Sequence, residues 1–272
     1  MTEKNYTQNR LTHFFLITFI YSWTIWGLGV ILSYTIEGEL PFRLVLPIII
    51  IGAFGPSVAA VWLTYRDEGN PGVIALLKRG LQVKGIPTWI WVAMFLIPVS
   101  ALLIAIFFVW LEFGVGAVST KGLLLFPLYI LIMYLGGSVQ EEFGWRGYAL
   151  DRLQLKWNAF NSSIILGIIW TTWHLPLFFI EGAHQQNMTL WLYFISVTSI
   201  AIIMTWLHNN SKANLFVAMT YHSIGNSVVI LADAEGVGKD ALNTGEIYNV
   251  AGTLLFALLI VAIWGPRTLT RP

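Results

Sequence analysis

The 272-residue sequence contains no cysteine. That absence removes disulfides, thiolate metal sites and cysteine nucleophiles together. Charge is scarce as well: Asp, Glu, Lys and Arg make up 11% of the chain, against about 25% in ordinary soluble domains. The net charge is +1, so no broad field draws the protein to nucleic acid. No linker, low-complexity tract, charge block or internal repeat divides the chain, which reads as a single domain over residues 1–272. What fills it instead is apolar, at 57% hydrophobic residues. A soluble domain of this size would have too few polar side chains to cover its surface, so the surplus apolar surface needs lipid as its solvent. The 13 tryptophans agree, because indole rings favour the headgroup level of a bilayer.

A bilayer core takes about 20 apolar residues per helix. Runs of that order fall at residues 11–34, 44–65, 89–111, 122–150, 160–180, 190–207, 213–232 and 248–264. The first is too long and too uniformly apolar for a cleaved signal, and no small-residue cleavage site follows it. The expected fold is therefore all-α, a polytopic transmembrane bundle of about eight helices. With a cytoplasmic N-terminus, the inside segments carry Lys4, Arg10, Arg66, Lys78, Arg79, Lys84, Arg152, Lys156, Lys212, Arg267 and Arg271. The outside loops carry only Arg43, Lys121 and Lys239 among the bases. They hold the acids Glu37, Glu39, Glu112, Glu181, Asp233, Glu235, Asp240 and Glu246. Cytoplasmic enrichment in Lys and Arg is the rule for such proteins, so both termini are expected in the cytoplasm.

Polar groups inside the spans carry the functional information, since a central charge costs roughly 2.5–3.5 kcal/mol on insertion scales. The fourth run contains Glu141-Glu142-Phe143-Gly144-Trp145-Arg146, the fifth Trp170-Thr171-Thr172-Trp173-His174, and the seventh His222-Ser223-Ile224-Gly225-Asn226. Residues four apart share a helix face, whereas neighbours diverge by about 100°. Glu142 can thus meet and be neutralised by Arg146. Glu141 turns away, lacks a partner in its own helix, and is free to enter the bundle, where a desolvated carboxylate suits general-base work. His222 and Asn226 lie on one face. At about 1.5 Å per residue, Glu141 and His222 lie about 15 and 14 Å from the cytoplasmic ends of their helices, and His174 and Asn226 about 20 Å. Each group has a bland reading: a folded-in ion pair, or a histidine that ties two helices by a hydrogen bond. Neither accounts for the unpaired second glutamate, two histidines and an asparagine at matching depth. His13, His184 and His208, at helix ends or in loops, take the bland reading.

The pattern Glu-Glu-x-x-x-Arg, then aromatic-x-x-x-His, then His-x-x-x-Asn resembles the type II CAAX prenyl endopeptidase family, also called the CAAX protease and bacteriocin-processing (CPBP) or Abi family. The resemblance is good from Gly136 to Asn226, and Gly144-Trp145-Arg146-Gly147-Tyr148 with Trp173-His174 is close to prokaryotic members. Trp170 stands where the family more often has Phe, an exchange of one aromatic for another. The resemblance implies intramembrane peptide-bond hydrolysis. By position, Glu141 with His174 would activate water, His222 and Asn226 would stabilise the oxyanion, and Glu142 with Arg146 would hold the geometry. The residues themselves suit those roles: an unpaired carboxylate as base, and donors waiting for developing charge.

Other intramembrane chemistries are excluded. There is no His-Glu-x-x-His, as a site-2-type zinc protease requires, no central Asp in any span, as in presenilin-type enzymes, and no rhomboid-type serine pattern. A metal-free site is the expectation. Glu141, His174 and His222 form the alternative, an acceptable zinc set with one open position. The expected partners are the bilayer and a peptide or membrane-protein substrate, prenylated only in a host that prenylates proteins. The rival readings are a transporter that uses the same cluster as an ion site and a catalytically idle immunity or scaffold protein.

Overall fold

The computed structural model describes residues 3–36, 41–233 and 237–270. Glu37, Glu39, Glu235 and Arg271, and the side chain of Lys4, lie outside what is described, so their part in the charge asymmetry rests on sequence. The chain begins with α1 (Glu3–Thr35), α2 (Phe42–Ala53), α3 (Gly55–Arg79) and α4 (Thr88–Phe113). A long irregular helix follows, made of α5 (Thr120–Met133), a π-helical stretch Tyr134–Ser138, α6 (Val139–Gly144), a second π-helical stretch Trp145–Leu150 and α7 (Asp151–Gln154). Then come α8 (Ala159–Trp173), α9 (Leu190–Asn210), α10 (Leu215–Ser227) and α11 (Lys239–Trp264).

Among the described residues, seven helical segments are long and apolar enough to cross a membrane, and Leu215–Leu231 is a shorter apolar helix. Each corresponds to one of the eight apolar runs, so the all-α bundle read from the sequence is the observed fold. Leu28, Leu124, Leu135 and Leu258 are exposed on its outside, as lipid-facing side chains must be. The protein is a multi-pass integral membrane protein.

Three spans depart from simple rods. The second run is two helices that meet at Phe54, because Gly55-Pro56 opens a new helix there. The helix also continues past the apolar run to Arg79, changing course at Gly69, whose φ of +65° favours glycine, just ahead of Pro71. The seventh span stops its α-helix at Ser227 and ends in a 3₁₀ turn, Val228–Leu231. The fourth is the consequential one. The apolar run 122–150 reads as one helix, but the winding is irregular on both sides of the glutamates. π-type turns re-aim the side chains that follow and recur at functional sites.

Close packing holds this irregular helix in place. Gly144 lies against Pro56, where any Cβ would collide with the Pro56 backbone. The missing side chain is what lets α3 press against α6. At the end of the bundle bearing α7, Arg79 donates to the carbonyls of Gly147 (3.2 Å) and Ala213 (3.1 Å) and to Asp151 (3.1 Å). His208 Nε2 meets the other oxygen of Asp151 at 2.8 Å. His208 thus has the structural role expected of it, a buried tie among α3, α7 and α9. At the opposite end, a two-residue antiparallel ladder pairs Ala117–Val118 with Ala232–Asp233 and fastens the start of α5 to the end of the seventh span.

Candidate active site

The site begins with how α8 ends. Pro176 disfavours helix at Leu175, and the last turn tightens so that the His174 amide donates to Thr171 rather than to Trp170. The Trp170 carbonyl is thereby released, and the His174 ring takes it: Nδ1–H donates to it at 2.8 Å. That bond sets the tautomer of a neutral ring and leaves Nε2 with a free lone pair. Aromatic rings enclose the imidazole, with Trp173 at 4.6 Å, Tyr193 at 5.6 Å, Trp170 at 6.0 Å and Trp26 at 6.3 Å between centroids.

Glu141 and Glu142 are both buried but are held quite differently. Glu142 receives two bonds from Arg146 Nη1, at 3.0 and 3.1 Å, and neither side chain is exposed at all. The i,i+4 pair read from the sequence is present. Its carboxylate also receives His222 Nδ1–H at 2.8 Å, which brings α10 onto the same anion. The expectation that Glu141 has no partner in its own helix does not hold. The Trp145 indole, one turn on, donates to Glu141 Oε2 at 3.2 Å, and the Trp170 indole donates to the same oxygen at 2.6 Å. The charge of Glu141 is nevertheless unmatched by any cation at bonding distance among the described residues.

The structure thus brings Glu141, Glu142, Arg146, His174 and His222 into one buried cluster, with Trp170 touching its members. The Trp170 ring lies 5.3 Å from His222 and 6.0 Å from His174, and Arg146 Cζ sits 4.4 Å above its face. Asn226 follows His222 by one turn on α10. It is exposed and lies beside Gly137, whose Cβ, were there one, would be 3.9 Å from its amide nitrogen. A Cβ at Gly136 would meet nothing within 4 Å. Among the described residues, no three His, Asp or Glu side chains are grouped as ligands for a metal ion. A separate cavity of about 440 Å³, lined in part by Asp151, His208, Lys212 and Arg267, includes none of the site residues.

Two indole donors, Trp145 and Trp170, were missed as site residues. Trp145 stands four residues after Glu141, and that spacing was the available signal. Trp170 was visible only as an aromatic exchange.

Comparison with known proteins follows the same residues. A family model described as type II CAAX prenyl endopeptidase Rce1-like matches residues 123–228. Over that segment the chain is similar to the type II CAAX prenyl endopeptidases. The matched segment runs from the fourth span through the seventh and contains every residue of the cluster. Beyond it, the chain is 27% identical over 256 residues to the CAAX prenyl protease 2 of Methanococcus maripaludis, an alignment that covers 89% of this chain and 92% of that protein. The resemblance read from the three motifs is borne out, and the kinship supports a membrane protease function.

Proposed function

We propose that the protein is an intramembrane endopeptidase that hydrolyses a peptide bond with water activated by Glu141 and His174. The observation that carries this reading is the pair of unsatisfied acceptors in one buried cluster: Glu141 Oε1, with Oε2 held by two indoles, and His174 Nε2, with Nδ1 committed to a carbonyl. Water placed between them gives one proton to Glu141 and adds its oxygen to the substrate carbonyl carbon. The resulting oxyanion takes hydrogen bonds from Asn226 Nδ2–H and from His222. His222 donates through Nε2 only as the imidazolium, because its Nδ1–H already serves Glu142. Collapse of the intermediate breaks the C–N bond, and the proton held by Glu141 passes to the leaving amine. Glu142 and Arg146 act on His222 and not on substrate.

The mechanism is metal-free: two donors suit an oxyanion hole better than a ligand shell. The substrate is a peptide or membrane protein, and the relative's name makes a prenylated C-terminal CAAX peptide the first to test. Purified protein in lipid nanodiscs should cleave a membrane-anchored peptide and keep its rate after strong chelation. Asn226→Ala should slow turnover by about 10²–10³, the usual worth of one oxyanion donor. Zinc-reversible loss of activity on chelation would reassign Glu141, His174 and His222 as ligands. Comparing prenylated with unprenylated peptides identifies the substrate class.

Both termini are cytoplasmic in this reading, which rests on the asymmetry of basic residues. Reporter fusions after Lys121 and after Asp240 should report the outside compartment. A cytoplasmic signal at either position would invert the arrangement.

A further inference from the structure

We propose that Trp170 is a positioning residue that aims the carboxylate of Glu141. The proposal rests on the protease reading of the site and adds to it a residue with no assigned part. Two indoles, one from the same helix and one from α8, converge on a single oxygen, Oε2, at 3.2 and 2.6 Å. No donor among the described residues reaches Oε1. A carboxylate bound through one oxygen only is fixed in rotation and presents the other, which makes Oε1 the proton acceptor. Trp145 alone cannot do this, because it rides on the same helix and its bond is the longer of the two. Trp170 comes from the element that also carries His174, and its own carbonyl orients that ring. A single residue therefore sets the two acceptors relative to each other, the backbone carbonyl acting on one and the side chain on the other.

Its place is itself determined from several sides. Arg146 Cζ lies 4.4 Å over the ring face, and the His222 ring stands against it at 80° with centroids 5.3 Å apart. The indole N–H has no freedom to seek another acceptor. Phenylalanine at this position would keep an aromatic ring under Arg146 and lose the donor together with part of the indole's volume.

The test uses Trp170→Phe in the full chain, with two readouts. In ¹⁵N-indole spectra of nanodisc protein, the resonance that disappears in Trp170→Phe identifies Trp170. In Glu141→Gln that resonance should move upfield as its acceptor loses its charge. In cleavage assays, Trp170→Phe should lower kcat about ten- to a hundredfold, the worth of a hydrogen bond to a charged group, with KM within about twofold and a melting temperature no lower than that of Trp145→Phe, which makes the same truncation. Trp145→Phe should cost less, in keeping with its longer bond. An indole resonance indifferent to Glu141→Gln would overturn the proposal whether or not the protein cleaves peptides, because that readout needs no turnover. So would a kcat for Trp170→Phe within about twofold of the parent, or a loss of rate matched by a melting temperature below that of Trp145→Phe. A protein that cleaves no peptide while the resonance responds to Glu141→Gln would sink the protease reading and retain the aimed carboxylate.

Discussion

Glu141→Gln should abolish nearly all peptide cleavage while leaving the protein folded. Glutamine has the shape of glutamate, and its amide oxygen can occupy the Oε2 position and accept both indole bonds. Its NH₂ group then stands where Oε1 was, and an amide has no basic lone pair to take a proton from water. Loss of a positioned general base costs typically 10²–10⁴-fold in rate, and His174 alone should not restore it, since its Nε2 would lack a partner to share the water. Single-turnover cleavage, with the melting temperature measured on the same preparation, reads both halves of the expectation. Substantial activity in Glu141→Gln would remove the base from the mechanism and with it the protease reading.

The second large effect falls on stability. Arg146 and Glu142 are completely buried and bonded through both carboxylate oxygens. Taking away one partner leaves the other charge stranded, which costs about 3–5 kcal/mol in comparable buried pairs. Arg146→Met and Glu142→Gln should therefore both lower yield and unfolding temperature. Glu142→Gln should be the more harmful to turnover, because it also unties His222 from α6. Replacing both charges together, as Glu142→Leu with Arg146→Met, should recover much of the lost stability, since apolar pairs often substitute for buried ion pairs without penalty. It should not recover cleavage, because His222 has lost its anchor. If Glu142→Gln kept full stability and yet had no activity, the roles of the two glutamates would have to be exchanged.

The acids illustrate how far spacing can be trusted. Glu142 and Arg146 are four apart, so their contact followed from helical spacing, and it is present as a two-oxygen bond although Arg146 already lies in the π-helical stretch. The same rule applied to Glu141 should have pointed to Trp145, also four residues on. It did not, because a search for opposite charges passes over a neutral donor. His208 was read as a structural histidine, and the tertiary structure supplies its partner, Asp151 of another helix, 2.8 Å away.

What the sequence determined by itself was the solvent, the class of fold and the identity of the polar residues that the membrane must enclose. Those follow from transfer energies and from a helical period that every apolar run repeats, and both are local properties. The tertiary structure decided which oxygens and nitrogens meet. Two π-type stretches flank α6 and change the register of the fourth span beyond them. The bond from Trp170 to Glu141 joins residues 29 apart in sequence, and that from His222 to Glu142 joins residues 80 apart. Both depend on how α6, α8 and α10 are rotated against one another, and that rotation is set by packing such as the bare approach of Gly144 to Pro56. Energetics within one helix could name the carboxylate; only contacts between helices could aim it.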